Sequence, residues 1–320
     1  MEFNAQNISA YKHIIIYGGC SAEYLNSMYL KTKGVLKYTG IFLNKTDYSK
    51  LNNDLQSLTQ YNKDTLSKLR DESVLIIIAL QNSENIKRIV PYVKENGFAY
   101  DYISNYSSVI DISFLNDLGY NHYIDYCGND ITFKGEYKRN KLFIRRGREN
   151  ASNNKINIGD ILFISNSLKV NLYGNNATVK IGNSCSFCEV LIQTTTDGIV
   201  EIGNSCMFSI PIGLFQVDGH HIFDLNTKER INKNKNIYIG NHVWVGRHVS
   251  ILGGCTIPDN CIVGSNTVTS HKFTEKNCVI AGNPGKVIRK DVIWARDDQS
   301  LNYATLDECN DKVGLKYIND

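Results

Sequence analysis

The sequence predicts an α/β domain followed by a coil of parallel β-strands, and three observations lead to this fold class. In the first half, apolar runs typical of buried strands alternate with segments of helical spacing, which implies a parallel sheet. In the second half, aliphatic residues recur at every sixth position, and glycines recur with them. A length of 320 residues fits about two domains.

The composition excludes several classes of protein. Hydrophobic residues make up 42% of the chain and charged residues 21%, which is enough apolar material for a core. The formal net charge is only +3, so no nucleic-acid partner is expected. The apolar runs are far shorter than the roughly 20 residues of a membrane span, and no secretory signal is visible at the N-terminus. Nine cysteines, an odd number, favour a reducing cytoplasm.

The first domain is predicted over residues 1–108. A buried strand over residues 13–17 ends at Gly18 and Gly19, and a helix then continues to about Lys33. The turn lacks the third glycine of a dinucleotide-binding fingerprint, so nucleotide binding and a docking role in an oligomer both stay open. The remaining predicted elements are strands near 38–43, 74–80 and 100–103 and a helix over 83–96.

Two further segments carry no repeat. Residues 109–154 form a connection with a basic cluster at 138–141 and 145–148. Such a run is usually solvated surface, and binding of an acidic glycan is the alternative. The tail, residues 291–320, is polar, and Trp294 favours a short packing helix there.

The β-coil is predicted over residues 155–290. From Ile239 the sequence divides into six-residue units, IGNHVW, VGRHVS, ILGGCT, IPDNCI and VGSNTV, with an aliphatic first and a small fifth position. Earlier copies begin at Ile181 and Ile202. Three units would complete one turn, with the aliphatic residue inside a narrow prism and the small residue in its corner. Four cysteines occupy the small position and are predicted to be buried, with half a zinc site at Cys185 and Cys188 as the alternative: these are Cys185, Cys206, Cys255 and Cys261.

A long insertion interrupts the repeat. The six-residue units stop after Leu214 and resume at Ile239, and residues 215–238 between them are predicted to be an irregular loop. This loop contains Asp218-Gly219-His220-His221-Ile222-Phe223-Asp224. Histidines in an arbitrary loop are usually solvated surface residues. Long loops on a rigid repeat nevertheless often carry function, so the loop is the candidate site.

The repeat and its closing stretch, residues 279–288 (VIAGNPGKVI), resemble the hexapeptide-repeat acyltransferases. The loop followed by His242-Val243-Trp244 is similar to one branch of them, the O-acetyltransferases of capsular and lipopolysaccharide glycans, including those of polysialic acid. The resemblance implies a left-handed β-helix, a homotrimer with sites between neighbouring β-helices, and acetyl-CoA as co-substrate. It also implies His220 as general base, with His221 as the alternative, and Trp244 in the lining of the site.

Such an acetyl transfer requires only a few catalytic groups. A sugar hydroxyl is a poor nucleophile, so it needs a base, and histidine is the natural one at neutral pH. A carboxylate could hold the tautomer of the imidazole, and a backbone N–H could stabilise the oxyanion. Neither a covalent intermediate nor a metal is expected. The predicted site residues are catalytic His220, Asp218 and Asp224, active-site lining Trp244, His221 and His242, and cofactor-binding Trp244, Gly246, Arg247, Gly264, Gly282, Asn283, Lys286 and Arg289.

The sequence leaves two other functions open. The N-terminal domain favours an N-acetyltransferase of a nucleotide-linked amino sugar, to which a sheet followed by a β-helix is similar. A β-helix scaffold without catalysis is the non-enzymatic alternative. The acceptor of the O-acetyltransferase, monomeric or polymeric, also stays open.

Overall fold

The computed structural model describes residues 2–4, 8–19, 21–44, 46–70, 72–80, 83–102, 109–117, 120–125, 127–137, 141–147, 151–296, 305 and 308. The chain divides into two compact units. Unit 1 comprises Met1–Thr132 and Glu136–Lys155, and unit 2 comprises Phe133–Gly135 and Ile156–Asp320. No helix within the described residues has both the length and the apolar character that a membrane span requires.

Unit 1 is built around a five-stranded parallel sheet with helices between its strands. The elements up to the end of this sheet are β1 (Glu2–Asn4), a 3-10 helix (Ile8–Ala10), β2 (His13–Gly18), α1 (Ala22–Thr32), β3 (Gly40–Leu43), a 3-10 helix (Tyr48–Lys50), α2 (Asn53–Gln56), β4 (Thr59–Tyr61), α3 (Lys63–Ser67), β5 (Val74–Ala79), α4 (Ser83–Glu95) and β6 (Ala99–Tyr102). The sheet order is β4-β3-β2-β5-β6, with every neighbouring pair parallel.

The central strands of this sheet are apolar because both of their faces are covered. All six residues of β5 are buried, and Ile15 and Ile16 of β2 have no exposed surface. Helix α1 begins after Ser21, whose hydroxyl accepts the backbone N–H of Tyr24 at 3.3 Å. The strands and helices predicted here are confirmed, with ends that move by one or two residues.

Between the five-stranded sheet and the repeat, the chain forms β7 (Val109–Asp111), α5 (Ile112–Asp117), β8 (His122–Ile124), β9 (Asp130–Lys134) and β10 (Leu142–Arg146). The predicted basic cluster is only partly described, because residues 138–140 and 148–150 lie outside the described residues. Arg146 of that cluster is buried and forms an ion pair with the buried Asp125 at 3.3 Å. Arg146 therefore presents no charge at the surface to an acceptor glycan, and its pairing with Asp125 offsets part of the cost of burying both charges.

Unit 2 is a parallel β-helix with three strands in each turn. Its strands are β11 (Lys155–Leu172), β12 (Thr178–Ile181), β13 (Cys185–Thr194), β14 (Ile199–Ile202), β15 (Met207–Phe208), β16 (Ile212–Phe215), β17 (Ile237–Ile239), β18 (Trp244–Val245), β19 (Val249–Leu252), β20 (Thr256–Ile257), β21 (Ile262–Val263), β22 (Val268–Thr269), β23 (Val279–Gly282) and β24 (Gly285–Arg289). Each short strand pairs in parallel with the strand one turn later, and the antiparallel β24 closes the coil against β23.

The strands form three flat faces. Face 1 comprises β12, β14, β17 and β20. Face 2 comprises the start of β13 with β15, β18, β21 and β23, and face 3 comprises the end of β13 with β16, β19 and β22. The chain turns from face 1 to face 2 at corner 1 (residues 182–184, 203–205, 240–242 and 258–260), from face 2 to face 3 at corner 2 (246–248 and 264–266), and back to face 1 at corner 3 (195–198, 216–236 and 253–254).

The geometry of the corners accounts for the residue types that recur in the six-residue repeat. Ser205, His242 and Asn260 follow one another at corner 1 with φ angles of 58°, 52° and 60°, in the left-handed region. The aliphatic first positions and the small fifth positions are buried throughout, including Cys185, Cys206, Cys255 and Cys261. The predicted packing role of these cysteines is confirmed. The fold class, an α/β domain followed by a left-handed parallel β-helix, is also confirmed.

Two details of unit 2 differ from the prediction. Strand β16 includes Phe215 and β17 begins at Ile237, so the insertion spans residues 216–236 rather than 215–238. The described start of the tail, residues 291–296, contains no helix. Most of the remaining tail lies outside the described residues.

Candidate functional site

The insertion at corner 3, residues 216–236, is a small hairpin rather than an irregular loop. Phe223 and Arg230 form an antiparallel bridge, and the N–H of Ile231 donates to the carbonyl of Ile222 at 2.9 Å. Gly219 has a φ of +80°, a conformation that favours glycine, and it directly precedes His220. His220 and His221 are both exposed on this hairpin.

Asn232 fixes the backbone around the two histidines. Its Nδ2 donates to the carbonyl of His220 at 2.7 Å and to Oδ2 of Asp218 at 3.0 Å. Its Oδ1 accepts the N–H of Ile222 at 2.8 Å, so one amide side chain holds the residues on both sides of His221. Nothing in the spacing of the repeat singles out Asn232, and the sequence analysis did not identify it.

The two predicted carboxylates have contacts of their own. Asp218 accepts from Asn232, whereas Oδ1 of Asp224 accepts the N–H groups of Asn226 and Thr227, each at 2.8 Å. The backbone N–H groups of Thr227 and Asn226 lower the pKa of Asp224. Within the described residues neither carboxylate is hydrogen-bonded to the ring of His220, so their tautomer-holding role stays a prediction.

His242 lies at corner 1 and is buried. Its ring stacks on that of Trp294 with centroids 4.2 Å apart, and its Nδ1 lies 3.1 Å from Oδ1 of Asn260. Trp294 in turn donates its indole N–H to the carbonyl of His242 at 2.8 Å. Burial lowers the pKa of His242, the hydrogen bond to Asn260 opposes this, and the charge of Arg296 lowers it further. The predicted role of His242 in lining the site stays a prediction, and in this chain its ring is buried between corner 1 and Trp294.

Trp244 lies on face 2, directly after corner 1. It pairs in register with Met207 of the preceding turn and Ile262 of the following turn. Its ring centroid is 6.0 Å from that of Trp294, and its buried indole N–H has no hydrogen-bond partner among the described residues. Arg296 also contacts face 2. It donates to the hydroxyl of Ser186 and, at 3.1 Å, to the carbonyl of Cys206.

The predicted cofactor residues gather at corner 2 and at the β23–β24 turn. A Cβ on Gly246 would come within 2.9 Å of the backbone N of Ser265, and one on Gly264 within 3.1 Å of the Cβ of Ala281. The close packing of successive turns is thus by itself a sufficient reason for glycine at these two positions. Gly282 has a φ of +105° at the turn before the cis peptide Asn283–Pro284.

Three cations lie along this end of the coil, and on β24 Lys286 pairs in register with Ala281 and Arg289 with Val279. Arg247 lies in corner 2, and Lys286 and Arg289 lie on β24, all of them exposed. Their neighbours Lys276 and Lys290 are paired with Asp259 at 3.0 Å and Glu275 at 2.7 Å. Arg247, Lys286 and Arg289 form no ion pair within the described part of the chain, so their charge is available to the phosphates of a ligand.

A cleft of about 610 Å³ lies at the base of the hairpin, on face 1 and corner 3. It is lined by Lys235, Tyr238 and Lys272 together with uncharged polar residues, and no carboxylate is among its described lining residues. The sequence analysis missed this cleft because its two lysines are far apart in the chain and meet only when the coil forms.

The hairpin and corner 2 belong to different sides of the prism. The hairpin leaves at corner 3, between faces 3 and 1, whereas Trp244 lies on face 2 and the candidate cofactor residues follow it. The hydrogen bonds of the hairpin described above stay within residues 216–236. The chain therefore brings together the two histidines with Asp218, and separately the cofactor residues with the strand of Trp244, and no hydrogen bond described above joins the two groups.

Comparison with known proteins identifies the class of the repeat domain. Residues 236–271 match the family described as bacterial transferase hexapeptide (six repeats). This stretch, which runs from the end of the hairpin through β22, thus resembles the hexapeptide repeats of bacterial transferases.

The particular proteins that it resembles are O-acetyltransferases. A polysialic acid O-acetyltransferase of Escherichia coli O1:K1 / APEC is 42% identical over 83 residues, which are 26% of this chain and 27% of that protein. The chain thus spans about a quarter of the length of this curated relative. Among solved structures, the polySia-specific acetyltransferase NeuO is 31% identical over 47% of this chain and 78% of that chain, with a TM-score of 0.39. The polysialic acid O-acetyltransferase OatWY is 30% identical over 49% and 82%, with a TM-score of 0.41.

Proposed function

We propose that this chain is an acetyl-CoA-dependent O-acetyltransferase that acetylates a hydroxyl of an acidic bacterial surface glycan of the polysialic acid type. The observation that carries the proposal is the hairpin 216–236. It is the one long break in the six-residue repeat between residues 177 and 269, and it presents an exposed His220 whose backbone is held by Asn232. The sequence similarity to a polysialic acid O-acetyltransferase supports the choice of reaction.

The reaction needs only one proton acceptor. The imidazole of His220 takes the proton of the sugar hydroxyl while the hydroxyl oxygen attacks the thioester carbon of acetyl-CoA. The carbon–sulfur bond of the tetrahedral intermediate then breaks, and the leaving thiolate receives the proton from the imidazolium. A backbone N–H of a corner stabilises the oxyanion. The products are an acetyl ester and free coenzyme A.

Acetyl-CoA enters this scheme as a substrate, and the residues of corner 2 suit it. Its phosphates need cations that are not already paired, and Arg247, Lys286 and Arg289 meet this condition. Trp244, on the adjoining face, offers an apolar surface to the pantetheine arm. Free thiols persist in a reducing compartment, so the proposal includes a cytoplasmic location.

The proposed assembly is a trimer in which the hairpin of one copy completes the site of its neighbour. Support comes from the separation of the hairpin from corner 2 within one chain. It also comes from the apolar side chains that the hairpin exposes, since Leu225 is 82% and Phe223 55% exposed. Exposed apolar groups on one element favour burial against another copy of the chain.

The cleft beside the hairpin supports an acidic acceptor. Lys235 and Lys272 line it without a described carboxylate, so a sugar polymer that carries carboxylates gains favourable electrostatics there. A neutral glycan gains none.

The test is acetyl transfer in vitro. We expect thiol release from acetyl-CoA with polysialic acid, and a product whose acetyl group is removed by mild base, as followed by mass spectrometry. Dextran, a neutral polymer, is the matched acceptor and should release little thiol. A base-stable amide product would instead show that the chain is an N-acetyltransferase. If no glycan causes thiol release, the non-catalytic scaffold is the function that remains.

A further inference from the structure

A short segment after β24, residues 291–296, forms a strap along corner 1 of the β-helix. Asp291 has a φ of 57°, in the left-handed region, and turns the chain as it leaves β24. The N–H of Val292 then donates to the carbonyl of Asn277 at 2.9 Å. Asn277 lies one turn after Asn260, so the strap begins at the last turn of the coil.

From Asn277 the strap runs back over earlier turns of the coil. Trp294 donates its indole N–H to the carbonyl of His242, two turns before Asn277. Arg296 donates to the carbonyl of Cys206, a further turn back. Since neighbouring strands lie about 4.8 Å apart, these contacts span roughly 14 Å along the coil. The strap is therefore fixed to several turns and not to a single corner.

Two side chains hold the strap in place. Trp294 is 5% exposed, and its ring stacks on that of His242 with the two planes 9° apart. The guanidinium of Arg296 lies 5.8 Å from the ring centroid of Trp294 and donates to the hydroxyl of the buried Ser186. Hydrogen bonds from a charged donor are among the stronger ones, so Arg296 keeps Trp294 packed against the coil.

Trp244 lies beside the strap on face 2. Its ring centroid is 6.0 Å from that of Trp294, with the planes tilted by 48°. Its partners in register, Met207 and Ile262, lie in the preceding and following turns and carry no ring. Trp294 thus supplies the aromatic contact at the side of Trp244. The angle that the Trp244 ring adopts therefore depends on the strap.

We propose that the strap holds the ring of Trp244 at the angle that coenzyme A requires, with Trp294 as a positioning residue and Arg296 as its anchor. The inference rests on the proposed function, in which the pantetheine arm lies against Trp244. The single side-chain donor of Trp294 is already bonded to His242, so Trp294 acts through Trp244. A ring that must be ordered on binding costs affinity, whereas a ring held in advance does not. Loss of the strap therefore raises KM for acetyl-CoA, and kcat, which depends on His220, stays nearly constant.

The position of the ring is tested by fluorescence. The chain contains only two tryptophans, so a replacement of Trp294 leaves Trp244 as the single indole fluorophore. Trp294→Leu removes the aromatic contact, whereas Trp294→Phe keeps a ring against His242. Time-resolved anisotropy should show rotation of the Trp244 ring on the nanosecond timescale in Trp294→Leu and a rigid ring in Trp294→Phe.

The effect on the ligand is tested by calorimetric titration with coenzyme A and by steady-state kinetics. We expect Kd to rise by about threefold to tenfold in Trp294→Leu, the worth of one aromatic pair, and Trp294→Phe to restore most of the affinity. KM for acetyl-CoA should rise in parallel, with kcat within about twofold of the wild type. Arg296→Gln, which keeps both tryptophans, should raise Kd by about threefold. Phe273→Leu, at a buried aromatic residue of unit 2 outside the strap, is the matched control and should leave Kd unchanged.

The strap and the proposed function fail in different ways. A wild-type protein that binds no coenzyme A would contradict both. If the wild type binds it, an unchanged Kd in Trp294→Leu and Arg296→Gln would overturn the role of the strap alone, as would a rigid Trp244 in Trp294→Leu. If Trp294→Leu does not fold, Arg296→Gln decides the question: a raised Kd with unchanged kcat supports the strap, and an unchanged Kd overturns it.

Discussion

His242 occupies a corner of the β-helix whose equivalent in the next turn is an asparagine, Asn260, in the same left-handed conformation. Burial favours the neutral imidazole, so the pKa in the folded chain lies below the ordinary value. The stabilisation by the neutral ring is complete above about pH 6.5 and is lost as the pH falls below it. We therefore expect the melting temperature of His242→Asn to fall less than that of the wild type between about pH 7.5 and about pH 5. The exposed His271→Asn should behave as the wild type, and equal falls in all three proteins would contradict this account.

Asn232 acts on His220 only through the backbone, so it is a positioning residue. In Asn232→Ala the hairpin loses its bonds to Asp218, His220 and Ile222, and small displacements of a base are costly. We expect kcat to fall by about 10-fold to 100-fold with KM for acetyl-CoA unchanged. Asn226→Ala, on the same hairpin, should keep near-normal turnover, because Asn226 is exposed and bonds to Asp224 through its backbone N–H. A change confined to KM for acetyl-CoA would instead assign Asn232 to the cofactor.

At the scale of single elements, the six-residue unit limits the volume of its fifth position. Cys261 is fully buried there, with its Sγ 3.5 Å from that of Cys278. Val243 and Val249 occupy the same position in other units, so Cys261→Val should change the free energy of unfolding by less than about 1 kcal/mol. Cys261→Leu overfills the corner and should lower it by about 1–3 kcal/mol in urea unfolding at fixed protein concentration. A leucine variant as stable as the wild type would show that the corner is loosely packed.

At the scale of the whole molecule, the proposed trimer depends on the exposed apolar side chains of the hairpin. Light scattering should give three times the chain mass of 36.1 kDa. Phe223→Asp combined with Leu225→Asp should shift the protein towards the monomer and reduce turnover in parallel, because the site needs a neighbouring hairpin. Leu30→Asp, an exposed leucine of α1, is the matched control. An active monomer would contradict the shared site.

The parts of this molecule that the sequence predicts are those whose pattern is local and repeated. Every six-residue unit of the β-helix buries the same two positions, so Ile239 and Cys255 reveal their places by spacing alone. Asn232 and Trp294 follow no period, and their contacts with His220 and His242 join segments separated by 12 and 52 residues. The cleft at Lys235 and Lys272 likewise exists only after coiling. Sequence patterns could therefore place the insertion and the corners, but neither the hairpin form of the insertion nor the side chains that hold these segments.

The general base is tested most directly by turnover of His220→Ala and His221→Ala with polysialic acid and acetyl-CoA. The side chain of His220 is exposed and fills no interior position, so the His220→Ala protein should keep its fold and its binding of acetyl-CoA. Its turnover should fall by about 10²-fold to 10⁴-fold, whereas His221→Ala should change turnover much less. A folded His220→Ala protein with near-normal turnover would contradict the mechanism, and an inactive His221→Ala protein beside it would assign the base to His221.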